Sequence, residues 1–182
     1  MPSRALDPVT RLTADAVGAP GQRTFYLQAA SGPDQVTLLV EKEQVRRLAE
    51  SLQVWLQELA ADRPEDPEEA RAAEAGELGL AEPLEPDFRV GQLTLSYDAE
   101  RDRVAVVATE LPASEDDDPV ELPDPLEVRL IVTRPQLRVL ARHGSWVVAR
   151  GRPPCPLCGN PLDPSGHVCP ALDGHRPSSA PP

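Results

Sequence analysis

Two stretches of this chain pass from a strand pattern directly into a helix pattern, and they do so in the same way. Leu38-Leu39-Val40-Glu41-Lys42-Glu43-Gln44-Val45-Arg46-Arg47-Leu48-Ala49 aligns without gaps on Leu130-Ile131-Val132-Thr133-Arg134-Pro135-Gln136-Leu137-Arg138-Val139-Leu140-Ala141. In each, apolar residues first alternate, which is the period of a half-buried strand. They then recur every three or four positions, the period of a helix with one apolar stripe. The first stripe is Val45, Leu48, Leu52, Trp55, Leu56 and Leu59; the second is Leu137, Leu140, Ala141, Gly144, Val147 and Val148. Two such stripes have to be buried against strands, so the fold class is α+β.

The residues ahead of each helix extend the parallel. Thr10–Gly18, Arg23–Ala29 and Gln35–Glu41 read as strands, separated by the turn signals Ala19-Pro20-Gly21 and Ser31-Gly32-Pro33-Asp34. Phe88–Tyr97, Val104–Leu111 and Leu126–Val132 read as three more, with Thr133 as N-cap and Pro135 in the first helical turn. The expectation is two similar βββα halves, residues 1–62 and 87–151, forming one pseudo-symmetric domain. Between them, 63–86 is expected as an acidic flexible linker with a fragment of helix around Glu68–Ala75. Residues 152–173 form a zinc-binding knuckle and 174–182 a disordered tail. A chain of 182 residues buries a core without disulfides. With two Phe, two Tyr and two Trp, that core is aliphatic.

The formal net charge of −12 argues against nucleic acid and anionic membranes as partners. Its distribution qualifies this. Residues 62–86 and 110–124 hold 16 of the 30 acids, in Pro-rich stretches that read as solvated loops. From Val128 to Leu162 there is no acid, and the window carries Arg129, Arg134, Arg138, His143, Arg142, Arg150 and Arg152. Either this is a basic face or its arginines pair with the chain's own acidic loops; the second reading is favoured. Of 18 basic residues only Lys42 is lysine, a bias expected of a GC-rich genome. The N-terminus has no signal-peptide pattern and no segment has the ~18 apolar residues of a membrane span, so the cytoplasm is the expected compartment.

The sharpest chemistry lies near the C-terminus. Cys155-x-x-Cys158 places two thiols one tight turn apart, with Pro156 and Gly159 suited to that turn. His167-x-Cys169 offers two more ligands on one side of an extended segment. Three Cys and one His make a closed tetrahedral set for zinc, and a closed set is structural, not catalytic. The alternatives are a Cys155–Cys158 redox pair or free thiols. His175 is a spare ligand with poorer spacing. Pro154-Cys155-x-x-Cys158 matches half of the zinc-deaminase signature, but no upstream His-x-Glu completes it. No GxSxG, HExxH, P-loop or dinucleotide-binding pattern is present.

Val17-Gly18-Ala19-Pro20-Gly21-Gln22-Arg23-Thr24-Phe25-Tyr26-Leu27-Gln28, Phe88-Arg89-Val90-Gly91, and Gly151 to Gly159 with Gly166-His167-Val168-Cys169-Pro170 together make the chain resemble an uncharacterised actinobacterial family, domain of unknown function 3090. The resemblance spans most of the length and is most specific in the terminal motif. Ala14-Asp15-Ala16 and His175 depart from the family pattern, away from the four ligands. It implies no activity.

A binding role is therefore expected over a catalytic one: a non-enzymatic zinc-binding interaction module for a protein partner. Cys155, Cys158, His167 and Cys169 hold structural Zn2+, and Arg150 and Arg152 are candidate partner contacts. One alternative is nucleic-acid binding through the 128–162 face. Another is an enzyme with a site between the halves, using Arg23, Tyr26 and Arg89.

Overall fold

A computed structural model describes residues 3–112, 124–151, 155–162 and 166–172. The expected loop at 112–124, the 174–182 tail, Arg152 and His175 therefore lie largely or wholly outside the described residues.

Seven strands form one sheet: β1 (Ser3–Leu6), β2 (Arg11–Val17), β3 (Thr24–Ser31), β4 (Asp34–Val40), β5 (Phe88–Asp98), β6 (Arg103–Glu110) and β7 (Glu127–Val132). Three helices accompany them: α1 (Lys42–Asp62), α2 (Pro67–Glu74) and α3 (Arg134–Ala149). The strand order is β1-β7-β6-β5-β4-β3-β2. β1 pairs parallel with β7 and β4 parallel with β5; every other pair is antiparallel. The architecture is α+β, as the two strand-to-helix stretches require.

The apolar stripes of α1 and α3 pack with one face of the sheet in a single aliphatic core. Leu27, Leu38, Leu52, Leu130 and Leu137 are its most deeply buried large side chains. α1 and α3 meet where Gly144 faces Val45 and Ala49; a Cβ on Gly144 would lie 3.2 Å from Val45 Cγ1. The missing side chain sets how closely the two helices approach. α3 starts in a reciprocal capping box, with Thr133 Oγ1 accepting from Gln136 N–H and Gln136 Oε1 accepting from Thr133 N–H.

Two parts of the fold differ from the sequence reading. β1 lies in the N-terminal stretch that shows no apolar run. Its four residues pair with β7 from Ser3 opposite Glu127 to Leu6 opposite Leu130, and Leu6 and Val9 enter the core. A strand this short carries too little periodicity to be read from sequence. Residues 63–86, expected as an acidic flexible linker with a fragment of helix around Glu68–Ala75, hold that helix as α2, but the stretch is also hydrogen-bonded to the body. Thr13, Gln28 and Thr37 are paired in register across β2, β3 and β4, one residue out of phase with the core-facing row. They form a buried polar row on the other face. Thr13 Oγ1 donates to the Leu78 carbonyl. The Gln28 amide donates to the Ala81 carbonyl at 2.8 Å and accepts from the Ala81 N–H at 2.8 Å. These groups are buried and need partners, and the backbone of 78–81 supplies them.

Candidate metal centre

The C-terminal motif folds into a knuckle. Cys155 N–H donates to the Asn160 carbonyl at 2.7 Å and Gly159 N–H to the Cys155 carbonyl at 2.8 Å, closing the CxxC turn. Gly159 sits at φ 73° and Gly166 at φ 83°, where a Cβ would be strained. A short 3₁₀ turn at Pro170–Leu172 follows the last cysteine.

These turns bring Cys155, Cys158, His167 and Cys169 together, with one ligand atom from each all within 4.8 Å of one another. Cys155 Sγ lies 3.9 Å from Cys169 Sγ, and Cys158 Sγ lies 3.2 Å from His167 Nε2. A tetrahedral zinc site has sulfur–sulfur edges of ~3.8 Å and sulfur–nitrogen edges of ~3.5 Å, from bond lengths near 2.3 and 2.0 Å. The observed pairs bracket those edges. All three cysteines are free, and the pairs are too far apart for a disulfide.

The local electrostatics suit a cation. Backbone N–H groups of Cys158 and Leu157 point at Cys155 Sγ and hold that thiol below its ordinary pKa, with burial opposing. Burial pushes the Cys169 thiol up. His167 Nδ1 is buried with no hydrogen-bond partner among the described residues. Three thiols packed around one imidazole nitrogen are poorly matched to each other and well matched to a soft divalent cation. The group could thus hold a metal ion and is compatible with zinc.

The remaining candidate residues are placed differently. Arg150 stacks over the half-exposed ring of Trp146, its Cζ 4.3 Å from the centroid, at the end of α3. Arg23 donates to the carbonyls of Val147 and Arg150, capping that end. Arg23 and Arg89 line one open cleft of about 390 Å³ together with Lys42; Tyr26 is not among its lining residues.

The acid-free window does not present a row of free arginines. Arg134 is fully buried and binds Asp102 through two hydrogen bonds, 2.7 and 2.8 Å. Arg138 and Arg142 both reach Glu74, and Arg138 also reaches Glu65. Arg142 and then Arg138 pull the Glu74 carboxyl down to about 2. His143 Nε2 lies 3.3 Å from Asp15 Oδ2. Glu65 and Glu74 belong to the 63–86 stretch, a pairing with the chain's own acidic loops that the sequence favoured, whereas Asp15 lies in β2 and Asp102 in the β5–β6 turn. Sequence reasoning missed the Arg134–Asp102 pair. The signal was Arg134 itself, aligned with the solvent-facing Lys42 of the first unit.

The fold and site define a class: an α+β protein with a C-terminal three-cysteine, one-histidine centre. Within that class, the chain belongs to the family described as a protein of unknown function (DUF3090), whose model matches residues 4–169. No curated protein and no solved structure matches it. Among the described residues, no helix is long and apolar enough to cross a membrane.

Proposed function

We propose that the protein is a non-enzymatic interaction module whose C-terminal knuckle is organised by structural zinc. The observation that carries this reading is the gathering of Cys155, Cys158, His167 and Cys169 within 4.8 Å. Four protein ligands fill a tetrahedral shell and leave no position for substrate water. The knuckle is too short to build a core of its own, so metal takes the place of one. Three free thiols kept apart are consistent with a reducing compartment, and we assign the protein to the cytoplasm. The partner-facing surface in this reading is the end of α3 with the knuckle, where Trp146, Leu157 and Val168 are exposed and Arg150 lies over Trp146.

The same reading takes β2-β3-β4-α1 and β5-β6-β7-α3 as a duplicated unit, supported by matched roles at aligned positions. Leu38 and Leu130, Val45 and Leu137, and Ala49 and Ala141 are all buried. Gln44 accepts from the Glu41 N–H and donates to the Val90 carbonyl; Gln136 accepts from the Thr133 N–H and donates to the Val9 carbonyl.

Metal analysis of the purified full chain tests the centre: one equivalent of zinc is expected, and Cys158→Ser should lose it while the far-ultraviolet spectrum of the body is kept. Zinc retained at one equivalent by Cys158→Ser would sink the assignment. Arg150→Glu should abolish a protein contact captured by the wild-type chain.

A further inference from the structure

The cleft beside the knuckle gathers three basic side chains in an acidic protein. Arg23 comes from the start of β3, Arg89 from the start of β5 and Lys42 from the first turn of α1. Three elements distant in sequence thus deliver three cations to one opening, in a chain whose formal net charge is −12. Like charges gathered in a cleft repel one another, and an anion relieves that repulsion.

The three are not equally committed. Arg23 is held by the α3 carbonyls, and Arg89 is paired with Glu41, whose carboxylate lines the same cleft and offsets one of the three charges. Lys42 has no carboxylate or carbonyl partner among the described residues. Its ammonium lies against Gly151, where an added Cβ would come within 2.9 Å of Nζ, so the glycine leaves the space the ammonium occupies. At the first turn of α1 the Gln44 N–H is taken by the Glu41 side chain, and the N–H groups ahead of it have no carbonyl within the helix to bond. They add partial positive charge on the same side. Leu39 gives the cleft an apolar wall; Phe25 and Val40, which also line it, are almost fully buried in the core. At about 390 Å³ the opening is larger than a bare oxyanion needs and falls within the size range of small-molecule sites.

We propose that this cleft binds a small phosphorylated organic molecule. Lys42 and Arg89 take the phosphate, Arg23 sets the positive field behind them, and the apolar wall takes the carbon part. All three cations belong to the α+β body, while Pro161 of the knuckle also lines the cleft, so the test uses the zinc-replete chain.

The test is isothermal titration of the zinc-replete full chain with phenyl phosphate, inorganic phosphate and citrate at constant ionic strength. Phenyl phosphate should bind measurably, and more tightly than inorganic phosphate. Lys42→Gln and Arg89→Gln, both at exposed positions, should each weaken it by roughly tenfold or more, the size of a lost charge-assisted contact. Glu41→Gln should tighten it by freeing Arg89. Arg129→Gln, on β7, should leave it unchanged. The proposal is overturned if phenyl phosphate fails to bind at millimolar concentration, if Lys42→Gln binds as the wild type does, if Arg129→Gln weakens binding as much as Lys42→Gln, or if citrate binds as tightly with the same dependence on Lys42.

Discussion

Replacing Arg134 by alanine tests the most deeply buried charge among the described residues. Its side chain is 1% exposed and makes four hydrogen bonds: two to Asp102, and one each to the carbonyls of Arg63 at 2.9 Å and Pro64 at 3.0 Å. Those carbonyls end α1 and begin the 63–86 stretch, so one guanidinium ties the start of α3 to the end of α1 and to the β5–β6 turn. Removing one partner of a buried ion pair costs about 3–5 kcal/mol, mostly through the charge left behind. Asp102 keeps 20% exposure, the Tyr97 hydroxyl at 2.8 Å and Arg63 at 3.8 Å, which moves the expected loss to the low end, about 3 kcal/mol. For a chain of this size that is a fall in Tm of roughly 6–12 °C.

Urea unfolding followed by circular dichroism reads this loss, and its pH dependence separates charge from packing. Arg134 holds the Asp102 carboxyl below its ordinary pKa, with burial opposing and Tyr97 assisting. A carboxylate depressed in the folded state binds fewer protons there than in the unfolded chain. The stability it contributes is present above the unfolded pKa, near 4, and is lost as pH falls through the folded value. The gap between wild type and Arg134→Ala should therefore narrow as pH drops from 7 toward 3. Glu43 and Glu74, both held at about 2 by arginines, lose their share in the same acid range in both proteins and cancel in the difference. Asp102 sits at φ 51°, which Asn tolerates, so Asp102→Asn completes a double-mutant cycle without adding backbone strain. A loss under about 1 kcal/mol for Arg134→Ala, or a gap independent of pH, refutes the reasoning.

Gly144→Leu should destabilise by about 1–3 kcal/mol through overpacking against Val45, and Val45→Ala in the same chain should restore part of it in thermal unfolding. Gly18→Ala places a Cβ 2.6 Å from the Gln22 carbonyl oxygen at φ 110° and should cost at least about 1 kcal/mol by the same measurement. Gln28→Ala removes both hydrogen bonds to Ala81, and limited proteolysis should then cut within residues 76–86 faster than in the wild type while the core spectrum persists.

The sequence made the sheet and the two long helices readable because their burial is periodic. The α1 stripe places Val45, Leu52 and Leu56 inside, and the β7 alternation places Val128, Leu130 and Val132 inside. What it could not convey were contacts made by backbone. The 63–86 stretch is low in apolar residues and reads as a solvated loop, yet it binds the body through the carbonyls of Leu78, Gly79 and Ala81. Any residue has a carbonyl, so such a contact leaves no mark on its own segment. The mark lies on the other side, in Thr13, Gln28 and Thr37, polar residues spaced along strands whose neighbours are apolar. β1 escaped for a different reason: its four residues are placed by pairing with β7, and pairing is blind to side-chain type.

The metal ligands and the cleft cations illustrate opposite cases. Cys155, Cys158, His167 and Cys169 come from 15 consecutive positions, and short chemistry at short spacing is visible before folding. Arg23, Lys42 and Arg89 are brought together by the β3–β4 hairpin, by the strand-to-helix step at Glu41 and by the parallel β4–β5 pairing. No spacing rule connects them. The pairing of Leu39 with Arg89 is what carries Arg89 to the start of α1. A cleft of that kind depends on the parallel β4–β5 pairing. Lys42 and Arg134 occupy aligned positions in the two strand-to-helix stretches and are used differently. Aligned with each other, one faces the cleft with its charge free, and the other is buried against Asp102 as a structural tie.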